Sequence, residues 1–437
     1  MSAALGKRIL EEFGAVGDDL PPGVVSRERR REALESLAAR GLPSTREENW
    51  RYANLRPLER ARFAPVAASE APGPMALPPA PEGFARYTFV DGRFVPELSA
   101  AAEHAEVSVR NLVGSRAGIA HLPRALTAAG ELPEARLALI NDAFAPDAAC
   151  VHVRSGAHPP VGIELLFVAA SDPSSGTSYP RIEIGLEPGA RLRLLEQHLS
   201  VGADASVVNS SVRVELARGS QLEHFRLQRL GARAAWFDAL TAVLAEEARY
   251  ALRVVSAGAS SARSSVHARL AGTAAELVHS AATIGGRQQV QDTFALAEHL
   301  APRTRTEQTF RGIAAGRARV AFNGKVTVRE GAHGTDSRQS LRGLLAGPEA
   351  EIDVRPQLEI YTDEVRCSHG ATAGKLDETM LFYLLSRGLA PEVAQRLLKW
   401  AFLEDVVAKI DPPELRRRIE RDLAGQMSDG ASLEELL

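Results

Sequence analysis

The chain has 437 residues, more than one ordinary domain needs, so a central core with one or two appendages is expected. A formal net charge of -3, with 45% hydrophobic and 24% charged residues, is the balance of a soluble globular protein and gives no bias towards nucleic acid or anionic membrane. Two cysteines, Cys150 and Cys367, are too few for a disulfide framework or a self-contained four-cysteine metal cage, and point to a reducing cytoplasm.

The N-terminal stretch MSAALGKRILEEFG carries Lys7, Arg8, Glu11 and Glu12 and reads as a helix, not as a secretory signal. No window approaches the roughly 20 apolar residues that span a bilayer. Helical periodicity runs to about Leu58, with Leu5, Ile9 and Leu10 on one face and Leu34, Leu37 and Ala38 on another. Ser44 and Thr45, each followed three residues later by Glu47 and Glu48, have the capping-box spacing that predicts a third short helix. The basic run Arg27 to Arg31 is interrupted by Glu28 and followed by Glu32, so it reads as a solvated helix face. From about Pro65 to Gly83 the composition turns to Pro and Ala, a linker.

Beyond Phe84 the period shortens to two, beginning with a hairpin pattern from Tyr87 to Val95 around Asp91-Gly92. A degenerate repeat comes next, with Leu186 to Leu192, Leu216 to Leu222, Leu244 to Tyr250 and Leu270 to Leu277 all bracketing short polar turns. The spacing, roughly 26 to 30 residues, suits two strands per repeat stacked as a parallel β-helix, with a β-sandwich as the rival. Such a stack has open ends whose edge strands need covers or partners.

After Gly374 the helical period returns. Asp377 is placed to cap a helix bearing Met380, Leu381 and Leu384, which Gly388 stops. Pro391 opens a longer helix whose apolar face includes Val393, Leu397, Trp400, Phe402, Leu403, Val406, Val407 and Ile410. A last helix begins at Asp411-Pro-Pro-Glu414 and presents Leu415, Ile419 and Leu423. Three units are therefore expected: a helical domain and linker over 1–83, a β-helix core over 84–370 and a helical domain over 371–437.

The most suggestive local chemistry is Cys367-Ser-His369. If the β pattern continues through it, Cys367 and His369 share one face, and a thiol and an imidazole are donors for iron or zinc. A buried Cys beside a hydrogen-bonded His at a strand end fits the same residues. The other ten histidines stand in no metal-ligand spacing. Gly324-Lys325 is followed by Val326 and is no nucleotide-binding loop, and no nucleophile-elbow motif surrounds any serine.

The segments FNGKVTVREGAHGTDSRQS from Phe322, EIDVRPQLEIYTDEVRCSHGATAGKLDE from Glu351 and LFYLLSRG up to Gly388 resemble the SufB/SufD family of iron-sulfur cluster assembly proteins. The run PSTREENWRY from Pro43 to Tyr52 resembles the SufD branch. The resemblance implies a mainly β chain, a right-handed parallel β-helix flanked by helical domains, working without catalysing a reaction itself. It implies a SufB subunit docked at the β-helix end, the SufC ATPase docked on the C-terminal helices through Trp400, Phe402, Leu403, Val406 and Val407, and a homodimer when the chain is alone. It also implies that His369, with Cys367, contributes to a nascent iron-sulfur cluster or iron site shared with SufB, with no tightly bound cofactor in the isolated chain. Nucleic acid and membrane are not expected partners. The alternatives are a secreted-type β-helix carbohydrate-active enzyme and a purely structural partner of SufB.

Overall fold

The computed structural model describes residues 3–67, 75–100, 107–111, 135–202, 205–410 and 413–427. The expected caps at Asp411 and Pro412, and His104 and His121, lie outside them.

Four helices belong to the N-terminal layer: α1 (Ala3–Val16), α2 (Arg27–Arg40), α3 (Arg56–Arg60) and α4 (Ala138–Phe144). Helix α2 starts where the Ser26 side chain accepts the Arg29 backbone N–H at 3.1 Å. The capping-box spacing at Ser44 forms half of its reciprocal pair, the Ser44 N–H donating to the Glu47 carboxylate at 2.9 Å. Beyond it the chain makes only a single 3-10 turn, Glu48–Trp50, not a full helix. Trp50 explains the difference: it is buried beneath the guanidinium of Arg263, 4.1 Å from its ring centroid, and this tertiary anchor overrides helix propagation. The layer packs through Leu34, Leu37, Trp50, Phe144 and Tyr179 onto Phe237.

The middle of the chain is a ladder of strands. In order they are β1 (Phe84–Val90), β2 (Arg93–Phe94), β3 (Val107–Asn111), β4 (Ala149–Val153), β5 (Gly162–Ala169), β6 (Arg181–Leu186), β7 (Arg191–Ser200), β8 (Val207–Leu216), β9 (Gln221–Arg229) and β10 (Ala235–Leu244). Then come β11 (Arg249–Ser256), β12 (Ser261–Leu270), β13 (Glu276–Gly285), β14 (Val290–His299), β15 (Arg305–Ala314), β16 (Arg319–Val328), β17 (Asp336–Leu345), β18 (Glu351–Ile360) and β19 (Arg366–Lys375). From β4 onward the strands alternate between two sheets, so that each pairs in parallel with the strand two places on, which is a parallel β-helix.

The repeated turns all fall at one corner of this solenoid, where a strand of the nine-stranded sheet passes to the ten-stranded one. Leu186, Leu216, Leu244 and Leu270 stand in one register column, and Leu192, Leu222, Tyr250 and Leu277 in the next. All are buried in one continuous core. The Asp91-Gly92 hairpin forms as expected, with φ of 48° and 83° at its two turn residues.

The two ends differ. At the N-terminal end each sheet finishes on an antiparallel strand, β2 against β1 and β3 against β4, which breaks the parallel template. At the other end β18 and β19 each have a neighbour on one side only, β16 and β17.

Three helices complete the chain: α5 (Glu378–Ser386), α6 (Pro391–Val407) and α7 (Pro413–Met427). Asp377 caps α5, its carboxylate accepting the N–H groups of Thr379 and Met380 at 2.8 and 3.0 Å, and Gly388 comes after the helix at φ 89°. Helix α6 lies on the outer face of the ten-stranded sheet, where Leu403, Val406 and Val407 join Leu227, Val255, Ile284, Ile313 and Leu344. The Arg311 guanidinium pairs with Asp405 across this seam.

Candidate functional site at the open solenoid end

Cys367 and His369 both lie on β19, the last strand of the ten-stranded sheet. Their register partners on β17 are Ser337 and Gln339, and on β15 Thr306 and Gln308, all four of them buried in the interior. The two site residues thus continue inward-facing columns at the rung where no further strand covers them. They are two residues apart on a strand, roughly 7 Å along it, and share a face.

Cys367 is half-buried and packs at the margin of the main core, as do Ile352, Val354, Leu358 and Val365, whereas His369 is exposed. Burial pushes the Cys367 thiol above its ordinary value, and the nearby Asp336 carboxylate pushes it further, while the backbone of Ser337 partly offsets both. The thiol is therefore protonated at neutral pH and would release a proton on binding metal. Among the described residues no group of three or more His, Cys, Asp or Glu side chains converges to hold a metal ion. One thiol and one imidazole supply two donors, half of a tetrahedral set.

Behind the pair runs a polar ladder that reading the sequence for an aliphatic interior misses. Gln339 Nε2 donates to Gln308 Oε1 at 2.7 Å and to the Gly324 carbonyl at 2.9 Å. One rung deeper in the same column stands His279, buried, with both ring nitrogens lacking a hydrogen-bond partner. Burial, helped by the Arg226 charge, lowers its pKa to about 4, so the ring is neutral. The signal is present in the sequence: Thr306-Glu-Gln308, Ser337-Arg-Gln339 and Cys367-Ser-His369 are one triplet pattern recurring rung by rung.

The open end is also where apolar surface collects. Among the described residues, every exposed large hydrophobic side chain except Leu10 falls between Ile360 and Leu385: Ile360, Tyr361, Met380, Phe382, Tyr383 and Leu385. Phe382 is 72% exposed, and no residue of α5 is buried. The apolar stripe of α6, expected from the sequence to meet a partner, packs largely within the chain. Leu403, Val406 and Val407 are wholly buried against the sheet, and Trp400 and Phe402 pack partly into the same cluster, so the folded chain offers little of this stripe to a partner. Periodicity reveals that a helix has an apolar face but not what covers it.

The fold is thus a parallel β-helix capped at one end and open at the other, with a thiol and an imidazole on its last rung. The family model for the SUF system FeS cluster assembly, SufBD core domain, matches residues 167–402. Over 402 residues the chain is 28% identical to the iron-sulfur cluster assembly protein SufD of Escherichia coli strain K12, covering 91% of this chain and 92% of that one. It is 29% identical over 414 residues to an iron-sulfur cluster assembly SufBD family protein of Synechocystis, covering 90% and 89%. A chloroplastic protein of Arabidopsis thaliana, ABCI7, matches at 28% over 65% of this chain and 62% of its own. The chain belongs to the SufBD family, and its likeness to SufD extends along nearly its whole length.

Proposed function

We propose that the chain is a SufD-like subunit of an iron-sulfur cluster assembly scaffold, joining a SufB-like subunit at its open solenoid end. The observation that carries this reading is the coincidence, at one end of the β-helix, of the edge strands β18 and β19, each paired on one side only, the Cys367–His369 pair and, among the described residues, nearly all of the exposed large apolar side chains. Exposed apolar patches with a polar rim mark interaction sites. In this reading iron and sulfide are the cargo, the chain contributes an imidazole and a thiol, and the partner supplies the remaining ligands.

A SufC-type ATPase docks on the C-terminal helices over 371–437, the helices over 1–83 brace the solenoid, and the core over 84–370 carries the site. With the α6 stripe spent on the sheet, a pull on this domain is transmitted through Leu403, Val406 and the Arg311–Asp405 pair directly to β15 and β13, two and three rungs from the site. The chain itself acts as scaffold and lever, and ATP chemistry belongs to the partner. No helix among the described residues is long and apolar enough to cross a membrane.

The test is to co-express the chain with its SufB-like and SufC-like partners and measure iron and acid-labile sulfide in the purified complex. His369→Ala should leave the complex assembled and reduce its cluster content at least several-fold. Full cluster content in that variant under iron limitation would favour the purely structural role.

A further inference from the structure

The segment from Pro43 to Arg56 is a second conspicuous motif, and the assembly role does not use it. It walls a groove of about 1000 Å³ on the side of the nine-stranded sheet, lined by Ser44, Thr45, Arg46, Arg51, Tyr52 and Arg56 together with Leu42, Leu55, Val290 and Arg319. That is ample for a ligand of nucleotide size.

The lining is strongly cationic. Arg319 is paired with Glu351 and lies within 4.0 Å of Asp353, so it is neutralised. Arg46, Arg51 and Arg56 are exposed and form no ion pair among the described residues, although Arg51 is close enough to feel the charge of Asp353, whose carboxylate accepts from the Tyr52 phenol. The acid within the lining itself is Glu59. By contrast the arginines that hold this segment in place are paired: Arg136 with Glu47 and Arg355 with Glu48. The acids of the motif are thus consumed on its structural side, leaving three guanidiniums and two hydroxyls around the groove.

The groove is also rigid. Trp50 is clamped under Arg263, which is itself fixed by Asp292 at 2.5 Å. Asn323 donates to the Asn49 side chain at 3.0 Å, and Ser261 Oγ donates to the Asn54 carbonyl at 2.8 Å. Three distant strands, β12, β14 and β16, therefore hold this loop in one conformation, so a ligand would not have to order it.

We propose that this groove binds a small phosphate-bearing molecule. Guanidinium forks match phosphate oxygens two at a time, the Ser44 and Thr45 hydroxyls complete the polar shell, and Leu42, Leu55 and Val290 offer an apolar wall to an organic moiety. The net charge of the chain and the local extent of the cluster argue for a compact anion over a polynucleotide, which needs a basic stripe.

The test is isothermal titration of the full chain with pyrophosphate and with adenosine diphosphate, at constant ionic strength, against a sulfate control. Saturable 1:1 binding of either probe, weakened at least tenfold by Arg51→Ala and by Arg56→Ala but unchanged by Arg60→Ala, supports the proposal. Thermal melting of each variant checks that these exposed replacements leave the fold intact. Binding no tighter than sulfate, equal binding by the arginine variants, or preference for a single-stranded RNA oligonucleotide over both probes would overturn it.

Discussion

His369 stands one rung beyond Gln339 in the same inward-facing column of the ten-stranded sheet. Gln339 is buried and tied to Gln308 and to the Gly324 carbonyl, whereas His369 has no rung above it. An interior position has been converted into a surface one simply by ending the ladder. An imidazole there is oriented by the β-helix beneath it and presented to whatever docks on the next rung, and the consequences of that arrangement are measurable.

In the proposed assembly the exposed apolar residues of α5 serve docking and not stability. Phe382→Ser and Tyr383→Ser should leave the thermal midpoint of the isolated chain within a degree or two while weakening co-purification with a SufB-like or SufC-like partner about tenfold or more. A large drop in the midpoint would show that α5 is packed inside the chain.

Leu403 behaves in the opposite way. It is fully buried between α6 and the sheet, so Leu403→Ala should cost about 2–5 kcal/mol in urea unfolding of the C-terminal helices, before any partner is added. Unchanged unfolding would mean that the helix is held by other contacts.

Asp142 ties the N-terminal layer to the solenoid. Its carboxylate accepts from Arg181 and Arg213 at 2.6 Å each and from Arg29 at 3.0 Å, and these three cations outweigh burial to hold it far below the usual carboxylate range. Asp142→Ala should destabilise the fold by about 3–5 kcal/mol, because the buried Arg181 and Arg213 guanidiniums lose one of their two carboxylates and are left to share Glu183. Since the folded pKa is depressed, the contribution is fully present above ~4 and fades only as pH falls below it.

His279 and His299 make the solenoid acid-sensitive in a higher window. Burial lowers both to about 4, against ~6.5 in an unfolded chain. The unfolded state therefore takes up protons first, and stability present above pH ~6.5 is lost progressively towards pH 4. Because neither nitrogen of His279 has a partner, His279→Leu should be neutral or stabilising at pH 7.5 and should flatten the pH dependence between pH 6.5 and 4.5. A steeper dependence in the variant would contradict this assignment.

How much of this is legible in the sequence depends on the kind of information each feature carries. The β-helix is legible because Leu186, Leu216, Leu244 and Leu270 are one physical column, and a column must repeat. Caps such as Asp377 are legible because they are local. Trp50 is not, since the Arg263 above it is far away in the sequence and comes near only through the fold. Nor is the fate of the α6 stripe, which depends on a sheet assembled from five separate strands. That Cys367 and His369 share a strand follows from the period-two pattern, but that the strand is the last rung emerges only from the topology.

The most direct measurement of the shared-site claim is pulsed electron paramagnetic resonance on the reduced cluster of the co-expressed complex, with the chain's histidines labelled with nitrogen-15. A strongly coupled nitrogen-15 signal that disappears in His369→Ala, with the complex still assembled, is the expected result. A cluster that shows no histidine nitrogen from this chain, or keeps its coupling in the variant, would contradict it.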